Sequence, residues 1–180
     1  MSKKVLIIST SLRKSSNSEA LAKAFADGAL SAGNEVETVS LIGKDIAFCK
    51  GCLACQNLGH CVIKDDALEI TEKMKNAEVI VFATPIYYYE MSGQMKTLLD
   101  RANSLFSSDY KFRDIYFLST AADNEDDVDE RALHGLDGWI ACYEKCKLAG
   151  KIFAGGVNAP GEINGHPALK EAYDMGAKIK

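Results

Sequence analysis

The sequence predicts a doubly wound α/β fold, a five-stranded parallel sheet in the order 2-1-3-4-5 with helices on both faces. Three observations support this. Apolar, β-branched runs recur at Val5–Ser9, Val36–Leu41, Val79–Ala83, Ile115–Thr120 and Lys151–Val157. Stretches with helical apolar spacing separate them, and strands alternating with helices specify a parallel sheet covered on both faces. The first and third runs are continuously apolar, as in strands buried on both sides. Ligands in such sheets bind beyond the carboxyl ends of the strands, near the switch between strands one and three. That rule points to the loops after Ser9, Ala83 and Thr120.

The chain has 180 residues, enough for one domain spanning 1–180 with a sizeable core. It is 47% hydrophobic and 26% charged, as in ordinary globular domains. Its formal net charge of −4 and the lack of a basic stripe argue against a nucleic-acid partner. No apolar stretch is long enough to span a bilayer, so no membrane partner is expected. The start, MSKKVLIIST, is basic, but its apolar run is too short for an export signal. The expected compartment is the reducing cytoplasm, where cysteines bind metals, do redox chemistry or stay inert rather than pair.

In the first helix Leu21, Ala24, Phe25 and Gly28 share one face. Ser16 and Glu19 form a capping-box pattern at its start, and Gly33 ends it. A cysteine-rich loop at about 46–64 follows the second strand. Asp65 and Asp66 cap a helix running to about Asn76, with Glu69 three residues beyond Asp66. After TPIYYYEM, a helix from about Ser92 to Phe106 faces inward through Met95, Leu98, Leu99, Ala102 and Leu105. Residues 123–130 carry six acids in eight and read as a solvated loop and helix start. A helix from about Val128 to Lys147 comes next, anchored by Trp139. Cys142 and Cys146, four apart, would share one of its faces as packing residues. Pro167 opens the last helix.

The loop after strand one, residues 10–18, is rich in small donors and runs straight into a helix. A helix start offers free N–H groups and the positive end of a dipole. Ser11, Ser16, Asn17 and Ser18 add donors, and Arg13 adds a cation, so a phosphate monoester is a natural guest. The plainer alternative is a serine-rich cap and turn. Neither G-x-G-x-x-G nor the Walker A pattern is present, which argues against a dinucleotide or ATP held in the usual way. The loop after strand three, Thr84 to Gly93, enters extended because of Pro85. Backbone N–H groups from Ile86 to Tyr88 could meet the edge of a planar heterocycle. Tyr87, Tyr88 and Tyr89 offer flat walls; ordinary aromatic packing is the alternative.

Cys49, Cys52, Cys55 and Cys61 fall within thirteen residues, as C-x2-C-x2-C-x5-C. Gly51 and Gly59 give this loop freedom to wrap. Three thiols in seven residues suit the compact run that grips a [4Fe–4S] cluster, although Val62 rather than Pro follows the last cysteine. Bare reduced thiols, and zinc or a disulfide, remain alternatives; zinc sites more often split their ligands into separated pairs. His60 inside the loop could act as a ligand or proton donor, and loop polarity explains it equally. His134 and His166 read as surface residues. No hydrolytic motif such as G-x-S-x-G or H-E-x-x-H appears.

Taken together, SxRxxSNS, TPIYYYEMSGQMKTLLDR and the cysteine motif between them resemble the NADPH-dependent FMN reductase superfamily, over roughly residues 3–157. Within it the sequence is most similar to the iron–sulfur flavoprotein branch. The resemblance implies a flavodoxin-like fold and an FMN-dependent oxidoreductase. It implies that Ser11, Arg13, Ser16, Asn17 and Ser18 hold the FMN phosphate. Pro85, Ile86, Tyr87, Tyr88 and Met91 would lie along the isoalloxazine and ribityl chain. Ser119 and Thr120, with Ala121, would touch the flavin from the other side. Leu12 stands where the family often has Pro, which should not disturb phosphate binding. NAD(P)H as co-substrate and a quinone, flavin or other small acceptor follow from the same resemblance. So does a homodimer or homotetramer. No side chain is required as a catalytic acid. A second reading is an electron carrier between protein partners such as a ferredoxin-like donor, with a cluster on Cys49, Cys52, Cys55 and Cys61.

Overall fold

The computed structural model describes residues 2–180. Its strands are β1 (Lys4–Ser9), β2 (Glu35–Ser40), β3 (Val79–Tyr87), β4 (Glu90–Met91), β5 (Asp114–Thr120) and β6 (Lys147–Ala154). Its helices are α1 (Asn17–Ser31), α2 (Ala54–Leu58), α3 (Ala67–Asn76), α4 (Gly93–Arg101), α5 (Glu130–Ile140) and α6 (Pro167–Gly176). The five longer strands are parallel in the order β2-β1-β3-β5-β6. Numbered among themselves they give the expected 2-1-3-4-5 arrangement. The short β4 is additional, folding back antiparallel on the end of β3.

β1 shows why the sheet is double-faced. Successive side chains of a strand point to opposite faces. Val5 and Ile7 pack with Leu21 and Phe25 of α1 and Ala172 of α6. Leu6 and Ile8 pack with Ile70 and Met74 of α3 and Met95 and Leu98 of α4. The helix pair α1 and α6 approaches closely at Gly28 and Gly176. A Cβ on Gly28 would collide with the Tyr173 carbonyl, and one on Gly176 with the Phe25 carbonyl.

Several boundaries differ from expectation. β3 continues past Ala83 to Tyr87. Its ladder to β1 ends at Ser9↔Ala83, while pairing to β5 continues to Pro85↔Thr120. Pro85 therefore sits where its missing N–H breaks no bond to β1. The helix expected from Ser92 to Phe106 is α4 followed by a 3-10 turn over Ala102–Leu105. The helix expected to reach Lys147 stops at Ile140, and β6 begins at Lys147 rather than Lys151. Tyr143 turns inward instead, 4.5 Å from the Trp139 ring and 5.3 Å from Phe112. Burial in that aromatic cluster outweighs helical continuation. Consequently Cys142 is exposed and only Cys146 packs against the core. Trp139 does anchor α5, stacked on Phe112 at 6.0 Å. Among the described residues no helix is long and apolar enough to cross a membrane.

Candidate active site

The carboxyl ends of β1, β3, β5 and β6 open into one cleft at the start of α1. Ser11, Arg13, Ser16, Asn17 and Ser18 line it from the first loop, and Pro85, Ile86 and Tyr87 from β3. Thr120, Ala121 and Ala122 line it after β5, and Val157 and Asn158 after β6. The chain has 25 acidic and 21 basic residues, yet no carboxylate lines this cleft and one arginine does.

The first loop is built to present donors. Ser16 caps α1, its Oγ accepting the Glu19 N–H at 3.2 Å and lying 3.3 Å from Ser18 Oγ. The N–H groups of Asn17 and Ser18 are first-turn amides, which have no intrahelical acceptor. Ser11 Oγ accepts the Arg13 N–H at 3.2 Å, and Arg13 Nη1 donates to the Asn158 carbonyl at 2.6 Å. Ser11, Ser16, Asn17 and Ser18 are all buried. A phosphate, which needs N–H and hydroxyl donors plus one cation, fits these groups.

Asn17 has a role that spacing did not reveal. Its Nδ2 donates to the Ala159 carbonyl at 3.0 Å, and its Oδ1 accepts the N–H groups of Gly161 and Ile163 at 3.2 and 3.3 Å. The side chain thus fixes the segment after β6, leaving its backbone N–H for a guest. Glu162 braces the same segment, accepting the N–H groups of Asn158 and Ala159, which hold its carboxyl below the ordinary range.

Tyr88, Met91 and Ser119 lie apart from the cleft lining. Tyr88 and Tyr89 form the tip between β3 and β4, with φ of 51° and 66°. Tyr88 is 97% exposed, while Met91 is buried opposite Ile86. Ser119 is fully enclosed, donating to Asp129 Oδ2 at 2.9 Å; Lys151 Nζ sits 3.2 Å from the other oxygen. Sequence reasoning missed Ala122, Val157 and Asn158. The available signal was the Gly155-Gly156 pair closing β6, since a Cβ on Gly155 would press on the Asp123–Asn124 backbone.

The cysteine loop lies outside this cleft. All four cysteines are free, Cys49 and Cys52 exposed, Cys55 and Cys61 half-buried. The donor set has the soft chemistry a cluster needs. The arrangement does not fit one, because among the described residues no three His, Cys, Asp or Glu side chains converge as a metal site. His60 is exposed, its ring nitrogen 3.0 Å from the Leu58 carbonyl. Among the described residues, the non-glycines at positive φ are Ser15, Leu53, Tyr88 and Tyr89. Each lies in a loop that the sequence marks for chemistry, where backbone strain tends to be kept.

The chain matches the NADPH-dependent FMN reductase family model over residues 3–141. An iron–sulfur flavoprotein from Methanosarcina thermophila is 30% identical over 173 residues, covering 96% of this chain and 87% of that protein. One from Methanocaldococcus jannaschii is 38% identical over 102 residues, 57% of this chain and 53% of the other. The fold matches an NAD(P)H:quinone oxidoreductase from Methanothermobacter marburgensis with a TM-score of 0.75 at 16% identity, covering 100% of both chains. It matches an azoreductase from Bacillus anthracis with a TM-score of 0.71 at 15% identity, covering 99% of this chain and 100% of that one. Those two likenesses speak for the fold. The family match over most of the chain, with a relative aligned almost end to end, shows that this protein belongs to the NADPH-dependent FMN reductase family.

Proposed function

We propose that the cleft binds FMN, phosphate inward at the start of α1. The protein would then carry electrons from NAD(P)H to a quinone, flavin or other small acceptor. The observation that carries this reading is the acid-free cleft with its buried donors and single arginine, in a chain that is acidic overall. Ser11, Ser16, Ser18 and the α1 amides would hold the phosphate oxygens, with Arg13 balancing their charge. Pro85, Ile86 and Tyr87 would lie along the ring system, and Thr120 and Ala121 would close the opposite wall. When bound, FMN supplies the two-electron chemistry between nicotinamide and acceptor. The chain's part is to bind, orient and shield. A homo-oligomer, a cytoplasmic setting and a single FMN-binding unit over 1–180 belong to the same proposal.

A second reading, an electron carrier with a [4Fe–4S] cluster, is favoured by the four-cysteine loop and by the names of the relatives. Its four sulfurs are not gathered here, and no step is drawn through it. The spectrum of protein purified without oxygen tests both readings. Flavin bands that bleach with NADPH and return with a quinone support the first. A broad iron–sulfur shoulder with no response to NADPH favours the second. Protein that takes up no FMN on addition contradicts both.

A further inference from the structure

A second cavity lies beside the cleft, between α1 and the edge strand β2. It holds about 540 Å³, within the range of small-ligand pockets. Ser16 lines both spaces. Ala22, Ala26 and Ile163, all buried, give the cavity an apolar floor, and Thr38 lines it from β2. Two of its polar groups stand without partners. Ser16 and Glu19 have the capping-box spacing, but only one half of the box is made. Ser16 Oγ accepts the Glu19 N–H. The carboxylate of the half-buried Glu19 makes no hydrogen bond or ion pair among the described residues. Ser9, 2% exposed, adds a hydroxyl that likewise makes no hydrogen bond among the described residues. Enclosed polar groups are normally paired, so these two call for a guest. A carboxylate only accepts, so that guest must bring donors, and it must not be an anion. A ribose diol meets both conditions, and acidic side chains hold ribose hydroxyls in other doubly wound folds.

We propose that this cavity takes the adenosine half of FAD, so that the flavin site accepts the dinucleotide as well as FMN. The inference rests on the reading that places the flavin phosphate at the start of α1. From that point the flavin half enters the cleft, and the pyrophosphate passes Ser16 into the second cavity. Glu19 accepts from the ribose hydroxyls, and the base lies on Ala22, Ala26 and Ile163. No glycine-rich turn is needed, because serine hydroxyls and the α1 amides supply the donors. A carboxylate at the ribose repels a 2′-phosphate, which sets this guest apart from the adenosine end of NADPH.

Calorimetric titration of the flavin-free, full-length protein with FMN and with FAD reads the cavity directly. Wild type should bind FAD at least as tightly as FMN. Glu19→Gln keeps the shape and removes the charge that the ribose meets. It should weaken FAD binding by about 10- to 100-fold and leave FMN binding no weaker. Thr38→Tyr should fill the cavity and weaken FAD by a similar factor with FMN unchanged. Thr38 is exposed on an edge strand, where an aromatic side chain is well tolerated. Intact FMN binding in both variants is the control for folding. If FMN itself does not bind, the flavin reading falls and this proposal with it. If FMN binds but FAD binds about a hundredfold more weakly, the cavity assignment alone is overturned. The same holds if both variants bind FAD as wild type does. If Thr38→Tyr instead loses NADH binding to the FMN-loaded protein while keeping FAD, the cavity serves the nicotinamide nucleotide and the proposal is overturned.

Discussion

The hydroxyl of Thr10 lies 3.0 Å from that of Ser92, with both residues fully enclosed. This contact joins the loop after β1 to the start of α4. Thr10 Oγ1 also donates to the Ala83 carbonyl at 3.2 Å. Ser92 Oγ accepts from Thr84 Oγ1 at 3.2 Å and from the Met95 N–H at 3.3 Å. The two loops that form the cleft are therefore tied through one buried hydroxyl network, and Ser92 is its hub.

Ser92→Ala should lower stability by about 1–3 kcal/mol, since it uncaps α4 and leaves enclosed hydroxyls unpaired. Urea unfolding measures this. An unchanged midpoint would mean that the network contributes nothing.

Asn17→Ala should release the segment from Ala159 to Ile163. Hydrogen exchange there should speed up while exchange in β1 stays slow. FMN affinity should fall by about tenfold, roughly one hydrogen bond's worth. Asn17→Asp retains the acceptor for Gly161 and Ile163 and should lose less order in the segment.

Replacing Tyr88 with Asn and Tyr89 with Gly should stabilise the hairpin, because a two-residue turn with φ positive at both positions favours those residues. Relief of left-handed strain is worth about 1–2 kcal/mol per residue. Thermal melting would show it as a higher midpoint, and a lower midpoint would argue that the tyrosines pack usefully as they are.

The Asp65–Arg101 pair gives stability a pH dependence. Burial pushes the Asp65 carboxyl up, but hydrogen bonds from Arg101 and the N–H groups of Ala47 and Ala67 outweigh it. The result lies below the ordinary value of 3.8. A carboxylate depressed in the folded state contributes stability that is full above its unfolded pKa. That contribution is lost as pH falls through the folded value, below 3.8. Asp65→Asn should flatten this acid limb and cost about 3–5 kcal/mol at neutral pH, because it strands a buried guanidinium. Urea midpoints across the acid range check both effects.

Much of this was legible in the sequence, and the exceptions share a cause. β1 and β3 are continuous apolar runs, and Ser16 three residues before Glu19 marks the helix start that makes the anion site. What local patterns could not show depends on distant partners. α5 ends early because Tyr143 packs on Tyr110 and Phe112, which precede β5 in the chain. The amide of Asn17 is spent on residues more than a hundred positions away. Asn158 joins the cleft only because the loop after β6 crosses back over α1. The cysteine spacing suggests convergence, yet Cys55 accepts from the distant Asn103.

The most direct test of the account is to titrate the flavin-free protein with FMN and with riboflavin side by side, following flavin fluorescence. If the α1 start and Arg13 hold the phosphate, FMN should bind about a hundredfold or more tighter than riboflavin, as charge-assisted contacts of ~1.5–3 kcal/mol each require. Arg13→Ala should erase much of that difference while leaving riboflavin binding unchanged. Equal affinities for the two flavins in the wild-type protein would contradict the account.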